Sequence, residues 1–226
     1  MLLGVVTGLA SERECLQRLP DGTEPRVRCF GVGTEAASKA ASELLEEGCS
    51  ALLSFGVAGG LDPRLCPGSI VLAEAVVTDR GECFATDQAW CGRLRACLGS
   101  GGVWPARLLG SDRPLLSASA KQEFASRHAT VAVDMESQVI GRMARQAGVP
   151  FMAVRAVADP AERGIPEWLV GAIDGRGQPR LSVIAKGAVA HPWHLPLLIT
   201  LARDQRAALR ALRRVALDSG PLLALR

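Results

Sequence analysis

Short apolar runs alternate with helical segments along most of the chain. The apolar runs have the length of β-strands and occupy residues 2–6, 26–30, 51–55, 69–77, 130–133 and 150–157. Apolar spacing or N-terminal capping pairs predict helices over residues 11–16, 34–47, 87–98, 119–127, 136–147 and 181–190. This alternation predicts a single α/β domain in which helices flank a mostly parallel, twisted central sheet.

Two stretches depart from the alternation. Residues 80–114 are predicted to be irregular around the helix at 87–98, because glycine and proline interrupt them. Residues 191–196 are a proline-containing link to a last helix over 197–217, which mixes leucines at helical spacing with arginines. We therefore divide the chain into a domain at 1–190 and an amphipathic extension at 191–226. The pattern favours packing of that helix on the domain or on a partner subunit; the alternative is contact with an anionic membrane surface.

Composition narrows the class of protein. The chain has 26 basic and 23 acidic residues and no broad basic stripe before its last helix, so a nucleic acid partner is not expected. Its seven cysteines are odd in number and lack zinc-ligand spacing, which predicts reduced thiols in a cytoplasmic protein. The first residues lack the basic region of a signal peptide, and no apolar run reaches the roughly 20 residues that span a bilayer.

Two glycine-rich segments follow predicted strands. Residues 56–60 are small enough to let a ligand approach the backbone, although a tight turn would also explain them. Residues 31–36 fit the GxGxxA pattern of dinucleotide-binding enzymes. That pattern needs an acid about 20 positions on, and residues 54–56 offer none. A strand–helix turn beside some other site explains residues 31–36 better than a dehydrogenase does.

Four carboxylates stand where predicted strands end or helices begin. Asp134 and Glu136 could hold adjacent hydroxyls, as on a ribose, or could simply cap and stabilise the helix that follows. Asp159 ends the strand at 150–157 and could serve as a partly desolvated general acid, or start a turn before Pro160. Glu12 follows the first strand and could activate water, or lie at the surface of a helix's first turn.

Taken together, these segments resemble the nucleoside phosphorylase superfamily, and within it the branch of methylthioadenosine and adenosylhomocysteine nucleosidases. The resemblance runs from residue 2 to about residue 166, and its four segments keep the family's order and spacing. They are residues 4–6 with Glu12, 56–61 with 67–71, 133–137, and 149–159.

The resemblance implies cleavage of the bond between a purine and a ribose. Asp159 matches the acid that protonates N7 of the base, and Glu12 matches the carboxylate that activates water. Glu136 matches the residue that holds the 2′ and 3′ hydroxyls, and Met135 the one beside the sugar. The remaining matches are pocket positions: Ala58 and Gly59 in the wall, with Phe151 and Arg155 around the base and under Asp159.

The family also implies no metal and no redox cofactor, a small purine nucleoside as substrate, and a homo-oligomer. The link and helix at 191–214 resemble hopanoid-associated phosphorylases, which implies release of adenine from adenosylhopane, a lipid-linked nucleoside. The nucleophile is left open. Phosphate would need arginines, for which Arg13, Arg28 and Arg80 are candidates, whereas Glu12 would repel phosphate and favour water.

Three positions depart from the family's pattern. Ala158 and Val57 replace hydroxyl-bearing residues, and residues 113–115 lack the aromatic that stacks on adenine, for which Phe84 or Phe151 could substitute. The losses make the pocket more apolar, which suits a lipid-like nucleoside. They also leave two alternatives open: a methylthioadenosine-type nucleosidase, and a protein that binds a nucleoside without cleaving it.

Overall fold

A mixed sheet of eight strands organises the part of the chain that the computed structural model describes, residues 1–16, 24–99 and 101–225. The strands are β1 (Leu3–Thr7), β2 (Arg26–Cys29), β3 (Ala51–Gly60), β4 (Ile70–Thr78), β5 (Cys83–Ala85), β6 (Val103–Gly110), β7 (Ala132–Asp134) and β8 (Phe151–Asp159). The helices are α1 (Ala10–Arg13), α2 (Thr34–Glu46), α3 (Gln88–Leu98), α4 (Ala118–His128), α5 (Ser137–Ala147), α6 (Leu181–Ala190) and α7 (Leu195–Asp218), with 3-10 turns at Glu167–Ala172 and Pro192–His194.

The sheet curls until its strands close a ring. β3 pairs with β8, β8 with β4, β4 with β6, β6 with β7, and β7 returns to β3. β1 and β2 extend the sheet from β3, and β5 pairs with β4. Five of these pairings are parallel and three are antiparallel, which confirms the predicted α/β domain with a mostly parallel sheet.

Parallel pairing of β1, β3 and β8 brings their carboxyl ends to one edge of the sheet. Val6 pairs with Ser54, and Ser54 pairs with Ala153, so the segments that follow these residues run on side by side. β7 joins them because Val133 pairs with Gly59. Ligands of α/β sheets sit outside such strand ends, and the candidate carboxylates lie there.

Helices cover the sheet on both faces. α2 and α5 pack on one face, where Ala40, Leu44 and Ile140 are fully buried. α3 and α7 cover the other face, which buries the second half of α7 through Ala208, Ala211, Leu212, Val215 and Ala216. The last helix therefore packs on the domain, as its apolar spacing favours. None of the described helices is both long enough and apolar enough to cross a bilayer.

Several predicted boundaries were wrong. The first helix covers Ala10–Arg13 rather than residues 11–16, and Glu12 accepts the N–H of Leu9 at its start. α4 begins at Ala118, one residue before the predicted start, and Ser117 caps it. β5 and β6 form inside residues 80–114, where glycine and proline had suggested irregular chain. The glycine segment is not a loop either, because β3 continues through Gly60.

Candidate active site

A cavity of about 160 Å³ opens at the edge where β1, β3, β7 and β8 end. It gathers six of the eight residues that the sequence assigned to the site: Glu12, Ala58, Gly59, Met135, Glu136 and Asp159. Asp134, Arg113, Pro114 and Leu115 also line it. Four carboxylates therefore face a space whose other walls are largely apolar.

Glu12 is held in place by backbone donors. Its Oε2 accepts the N–H groups of Gly8 at 2.9 Å and Leu9 at 2.8 Å, and its Oε1 accepts that of Val57 at 2.8 Å. Burial raises the pKa of Glu12, and Arg155 together with the three N–H donors opposes that rise. Position 56 is glycine because a Cβ there would lie 2.7 Å from Oε1 of Glu12. The carboxylate is thus a fixed feature of the cavity rather than a surface glutamate.

A buried guanidinium lies beneath the carboxylates. Arg155 is 2 % exposed, pairs through Nε with Asp134, and donates from Nη2 to Ser54 at 2.7 Å and Ser137 at 3.1 Å. Its Nη2 also lies 3.6 Å from Oε2 of Glu136. Arg155 does not line the cavity, so it acts from behind the acids. Asp134 also accepts the N–H of Ser137 at 3.1 Å, so it both pairs with arginine and satisfies a backbone donor at the start of α5.

Glu136 stands between α5 and the turn that precedes α2. Its Oε1 accepts the N–H of Gly33 at 2.9 Å, and Gly33 has the positive φ of 103° that favours glycine. Burial and the nearby Asp134 raise the pKa of Glu136 to about 7, while Arg155 opposes the rise. The GxGxxA turn therefore holds a side chain that lines the cavity.

Asp159 is aimed by an irregularity at the end of β8. Val157 pairs with Ala58 and Asp159 pairs with Gly59, so Ala158 has no partner in β3. Such bulges redirect the next side chain. Burial raises the pKa of Asp159, although Lys121 and Arg163 lower it in part. An aspartic acid that retains a proton can donate it, as the proposed role requires.

The structure does not bring the other sequence candidates into the cavity. Phe151 and Phe84 lie in the core, 4 % and 2 % exposed, so neither supplies the missing aromatic wall. Both are held there by packing around α5, where they would contact any Cβ added at Gly141. Among the phosphate candidates, Arg28 pairs with Glu43 and Glu47 at the surface, and neither Arg13 nor Arg80 lines the cavity.

Sequence reasoning missed Lys121. This lysine of α4 is 1 % exposed, and its Nζ pairs with Asp159 and donates to the carbonyls of Pro160 at 2.9 Å and Arg163 at 3.1 Å. The sequence feature that could have revealed it is its spacing. Lys121 lies three residues before Phe124, so the two share the face of α4 that turns toward the domain. The hydroxyls of Ser54 and Ser137, 2.9 Å apart, were also missed because each lies in an otherwise apolar or helical pattern.

A second cavity of about 810 Å³ adjoins the first. The two share Val32, Pro114, Met135 and Ile165 in their walls. The outer cavity adds mainly apolar residues: Phe30, Ala36, Leu116, Leu169, Val170 and Ile173. Its charged lining residues are Glu35, Lys39 and Asp174. A ligand in the inner cavity can therefore extend into a larger apolar space.

Within residues 1–16, 24–99 and 101–225, no three His, Cys, Asp or Glu side chains are grouped as metal ligands.

Solved structures with this fold include several nucleosidases. Futalosine hydrolase of Helicobacter pylori matches with a TM-score of 0.67 and 14 % identity, over 94 % of this chain and 96 % of that one. The 5′-methylthioadenosine/S-adenosylhomocysteine nucleosidase of Neisseria meningitidis, solved with methylthio-immucillin-A, matches with a TM-score of 0.66 and 18 % identity, over 94 % and 98 %. S-adenosylhomocysteine nucleosidase of Streptococcus pyogenes, solved with 5-methylthiotubericidin, matches with a TM-score of 0.64 and 16 % identity. That match covers 95 % of this chain and 97 % of the other.

These matches show a shared fold. The family follows from the sequence itself, since the model of the phosphorylase superfamily matches residues 16–190. This chain belongs to the phosphorylase superfamily.

Proposed function

We propose that this protein breaks the N-ribosidic bond of a purine nucleoside. One observation supports the proposal above all: Asp159, with a raised pKa, and Glu136, tied to Gly33, line the same cavity. One is an acid suited to the leaving base, and the other is an acceptor suited to a diol.

In the proposed reaction the proton of Asp159 moves to N7 of the purine. The bond between C1′ and N9 then breaks, and its electron pair leaves with the base. The sugar becomes an oxocarbenium-like cation, which the carboxylates around the cavity stabilise. Protonation of the leaving group contributes typically about 10²–10⁴-fold to such rates.

Water is the nucleophile that the lining favours. Water adds to C1′ and loses a proton to Glu12, so the products are the free base and a ribose with a 1-hydroxyl. Phosphate would have to approach a cavity lined by Glu12, Asp134 and Glu136 in addition to the protonated Asp159, with Arg113 as the arginine in its wall. Like charges at this range oppose each other, so phosphorolysis is the less favoured route.

The outer cavity favours a substrate with a long apolar 5′ substituent. Adenosylhopane is the nucleoside that we propose, because its 5′ group is a large hydrocarbon that matches the lining of Val32, Ile165, Leu169 and Val170. The alternative is a small thioether such as that of methylthioadenosine, and the nucleosidases that share the fold favour it. Turnover of methylthioadenosine at least as efficient as that of adenosylhopane would contradict the lipid-linked substrate.

The proposed reaction is tested by release of adenine from both nucleosides, with wild-type protein and with Asp159→Asn. We expect release by the wild type and a loss of about 10²–10⁴-fold in the variant. Absence of release from either protein would support a binding protein without turnover. Running the assay with and without inorganic phosphate separates the two routes, because only phosphorolysis yields ribose 1-phosphate.

A lipid-linked substrate would be met at a membrane, and α6 with the start of α7 offers a surface for contact. Leu181, Val189, Trp193, Leu195 and Ile199 are each at least 46 % exposed there. Residues 175–203 contain four Arg or Lys and no Asp or Glu. The 3-10 turn at Glu167–Ala172 links this surface to the outer cavity through Val170. The proposed occupant is therefore an anionic lipid surface.

Liposome co-sedimentation tests this contact. Ile199→Glu should weaken binding to vesicles of anionic lipid by about 10–100-fold, since burial of an isoleucine is worth roughly 1.5–3 kcal/mol. Leu217→Glu is the matched control, because Leu217 lies on the same helix and is 56 % exposed against 55 % for Ile199. Equal binding by the two variants would contradict the proposed surface.

A further inference from the structure

The environment of Lys121 gives this buried lysine a role at Asp159. An ammonium group has three hydrogens, and Lys121 has three acceptors: Asp159 Oδ2, the Pro160 carbonyl and the Arg163 carbonyl. Lysine is almost never fully buried unless it is paired, and the side chain of Lys121 is 1 % exposed. All of its donors are directed at β8's last residue and the segment that follows it.

We propose that Lys121 is a positioning residue for Asp159, which holds Oδ2 so that Oδ1 faces the substrate and fixes the segment that closes the cavity. This inference rests on the proposed role of Asp159 as the proton donor. The carbonyls that Lys121 holds belong to residues 160 and 163, and Ile165 of the same segment lines both cavities. The N–H of Ile165 donates to the carbonyl of Leu116 at 2.9 Å, so the segment is tied to the start of α4 at two points.

The charge of Lys121 also affects how readily Asp159 gives up its proton. Burial raises the pKa of Asp159, and Lys121 is the largest influence that opposes the rise. Arg163 opposes it too, but its guanidinium pairs with Asp204 of α7. The neighbouring residues of β3 and β7, Gly59 and Val133, carry no charge. The other ionisable groups of the cavity wall are Glu12, Asp134, Glu136 and Arg113.

Removal of the ammonium should therefore change the pH dependence of the reaction. The acid must be protonated to act, so kcat/KM falls as the pH rises through the pKa of Asp159. Without the positive neighbour that pKa rises further, and the alkaline limb moves to higher pH. An opposite charge at contact distance shifts a pKa by about 1–3 units. An Asp159 with a higher pKa is also a weaker proton donor to the base, so kcat at the optimum pH falls.

Two variants separate the contacts of Lys121 from its charge. Lys121→Gln removes the charge and keeps a donor, whereas Lys121→Met removes both. In each we expect the alkaline limb of kcat/KM to move up by at least about one pH unit, because both variants lose the charge. We also expect kcat to fall about tenfold or more with a smaller change in KM, and to fall further in Lys121→Met, which loses the donor as well. A residue that only stabilises the fold would lower the Tm and leave the limb where it is, and that outcome would overturn the inference.

A measurement on the wild type keeps the test independent of whether the variants fold. The chain has three lysines, Lys39, Lys121 and Lys186, so ¹⁵N-lysine labelling gives few Nζ signals. The signal of Lys121 should shift at the pH where kcat/KM falls, and the shift should vanish in Asp159→Asn. A signal that does not change across that range overturns the inference. If instead the wild type releases no adenine from any nucleoside, the proposed function itself fails.

Discussion

The backbone N–H of Gly33 donates to Oε1 of Glu136 at 2.9 Å, which joins the turn before α2 to the acid at the start of α5. The two residues are 103 positions apart. Oε2 of Glu136 lies toward Arg155, at 3.6 Å from its Nη2. The carboxyl group is thus oriented by the protein itself, which reduces the reorganisation that binding of a ligand would require.

Substitution of Glu136 should abolish the preference for a ribose. Glu136→Gln keeps an oxygen for Gly33 but loses the charge that accepts the two hydroxyls. Hydrogen bonds to charged groups are worth roughly 1.5–3 kcal/mol, so we expect kcat/KM for the ribonucleoside to fall about 10–100-fold. For the matched 2′-deoxynucleoside, kcat/KM should fall less in this variant, because that substrate makes only one of the two contacts with Glu136. An unchanged ratio between the two substrates would show that Glu136 does not hold the diol.

The same acid should make the stability of the fold depend on pH. Burial and Asp134 raise the pKa of Glu136 from its ordinary value of 4.5 to about 7, so between these values the folded chain binds more protons than the unfolded chain. The free energy of unfolding therefore decreases as the pH rises through this window, by at most about 3 kcal/mol from this group. The raised pKa values of Glu12 and Asp159 act in the same direction.

Urea denaturation between pH 5 and pH 8 measures this dependence. Glu136→Gln is the control variant, because it cannot titrate at that position, and its free energy of unfolding should vary less over the range. If the free energy of unfolding changes with pH equally in wild type and variant, Glu136 is ionised in the folded chain from pH 5 to pH 8.

Local pattern was enough to predict most strands and the fold class, and the family resemblance named the six residues that line the cavity. They lie in or just after the last residues of β1, β3, β7 and β8, so the order of the elements places them together. β6 was missed because Pro105 and flanking glycines give it no alternating pattern, and only its pairing with β4 and β7 stabilises it as a strand. Lys121 was missed for a related reason: a lysine predicts a solvated face unless its buried partner is known.

Phe151 and Arg155 are the two sequence candidates that do not line the cavity. Both lie in β8, as expected, but alternation along a strand does not tell which face meets the ligand. The structure places Phe151 in the core and Arg155 under the carboxylates. Ala158 and Val57 are the two positions where the resemblance leads one to expect a hydroxyl-bearing residue. Ala158 is the unpaired residue at the bulge of β8. Val57 lines the cavity, and its N–H donates to Glu12.

Gly56 should tolerate no larger side chain. A Cβ at this position would lie 2.7 Å from Oε1 of Glu12 and 2.9 Å from Nη1 of Arg155, and both groups are buried and fixed by other hydrogen bonds. Gly56→Ala should lower the free energy of unfolding by about 1–3 kcal/mol, the usual cost of overpacking. Denaturant unfolding followed by circular dichroism measures the change.

Gly92 supplies the control for that experiment. It lies exposed in α3, where an added Cβ meets no atom of the described chain within 4 Å. Gly92→Ala should raise the free energy of unfolding by about 0.5–1 kcal/mol, because alanine favours a helix over glycine. Similar effects of the two substitutions would mean that Glu12 and Arg155 can move aside, and the fixed placement of Glu12 would then be wrong.

The outer cavity should decide between nucleosides by their 5′ groups. Leu169 lines the outer cavity and not the inner one, so Leu169→Asp places a charge where a long apolar substituent would lie. We expect kcat/KM for an adenosine with a long alkyl 5′ group to fall about 10–100-fold, given the roughly 1.5–3 kcal/mol that burial of a leucine-sized group provides. Methylthioadenosine should be affected by less than about twofold, since its short substituent does not reach Leu169. An equal loss with both substrates would mean that Leu169 supports the inner cavity instead, and no loss with either would exclude the outer cavity as the site of the 5′ group.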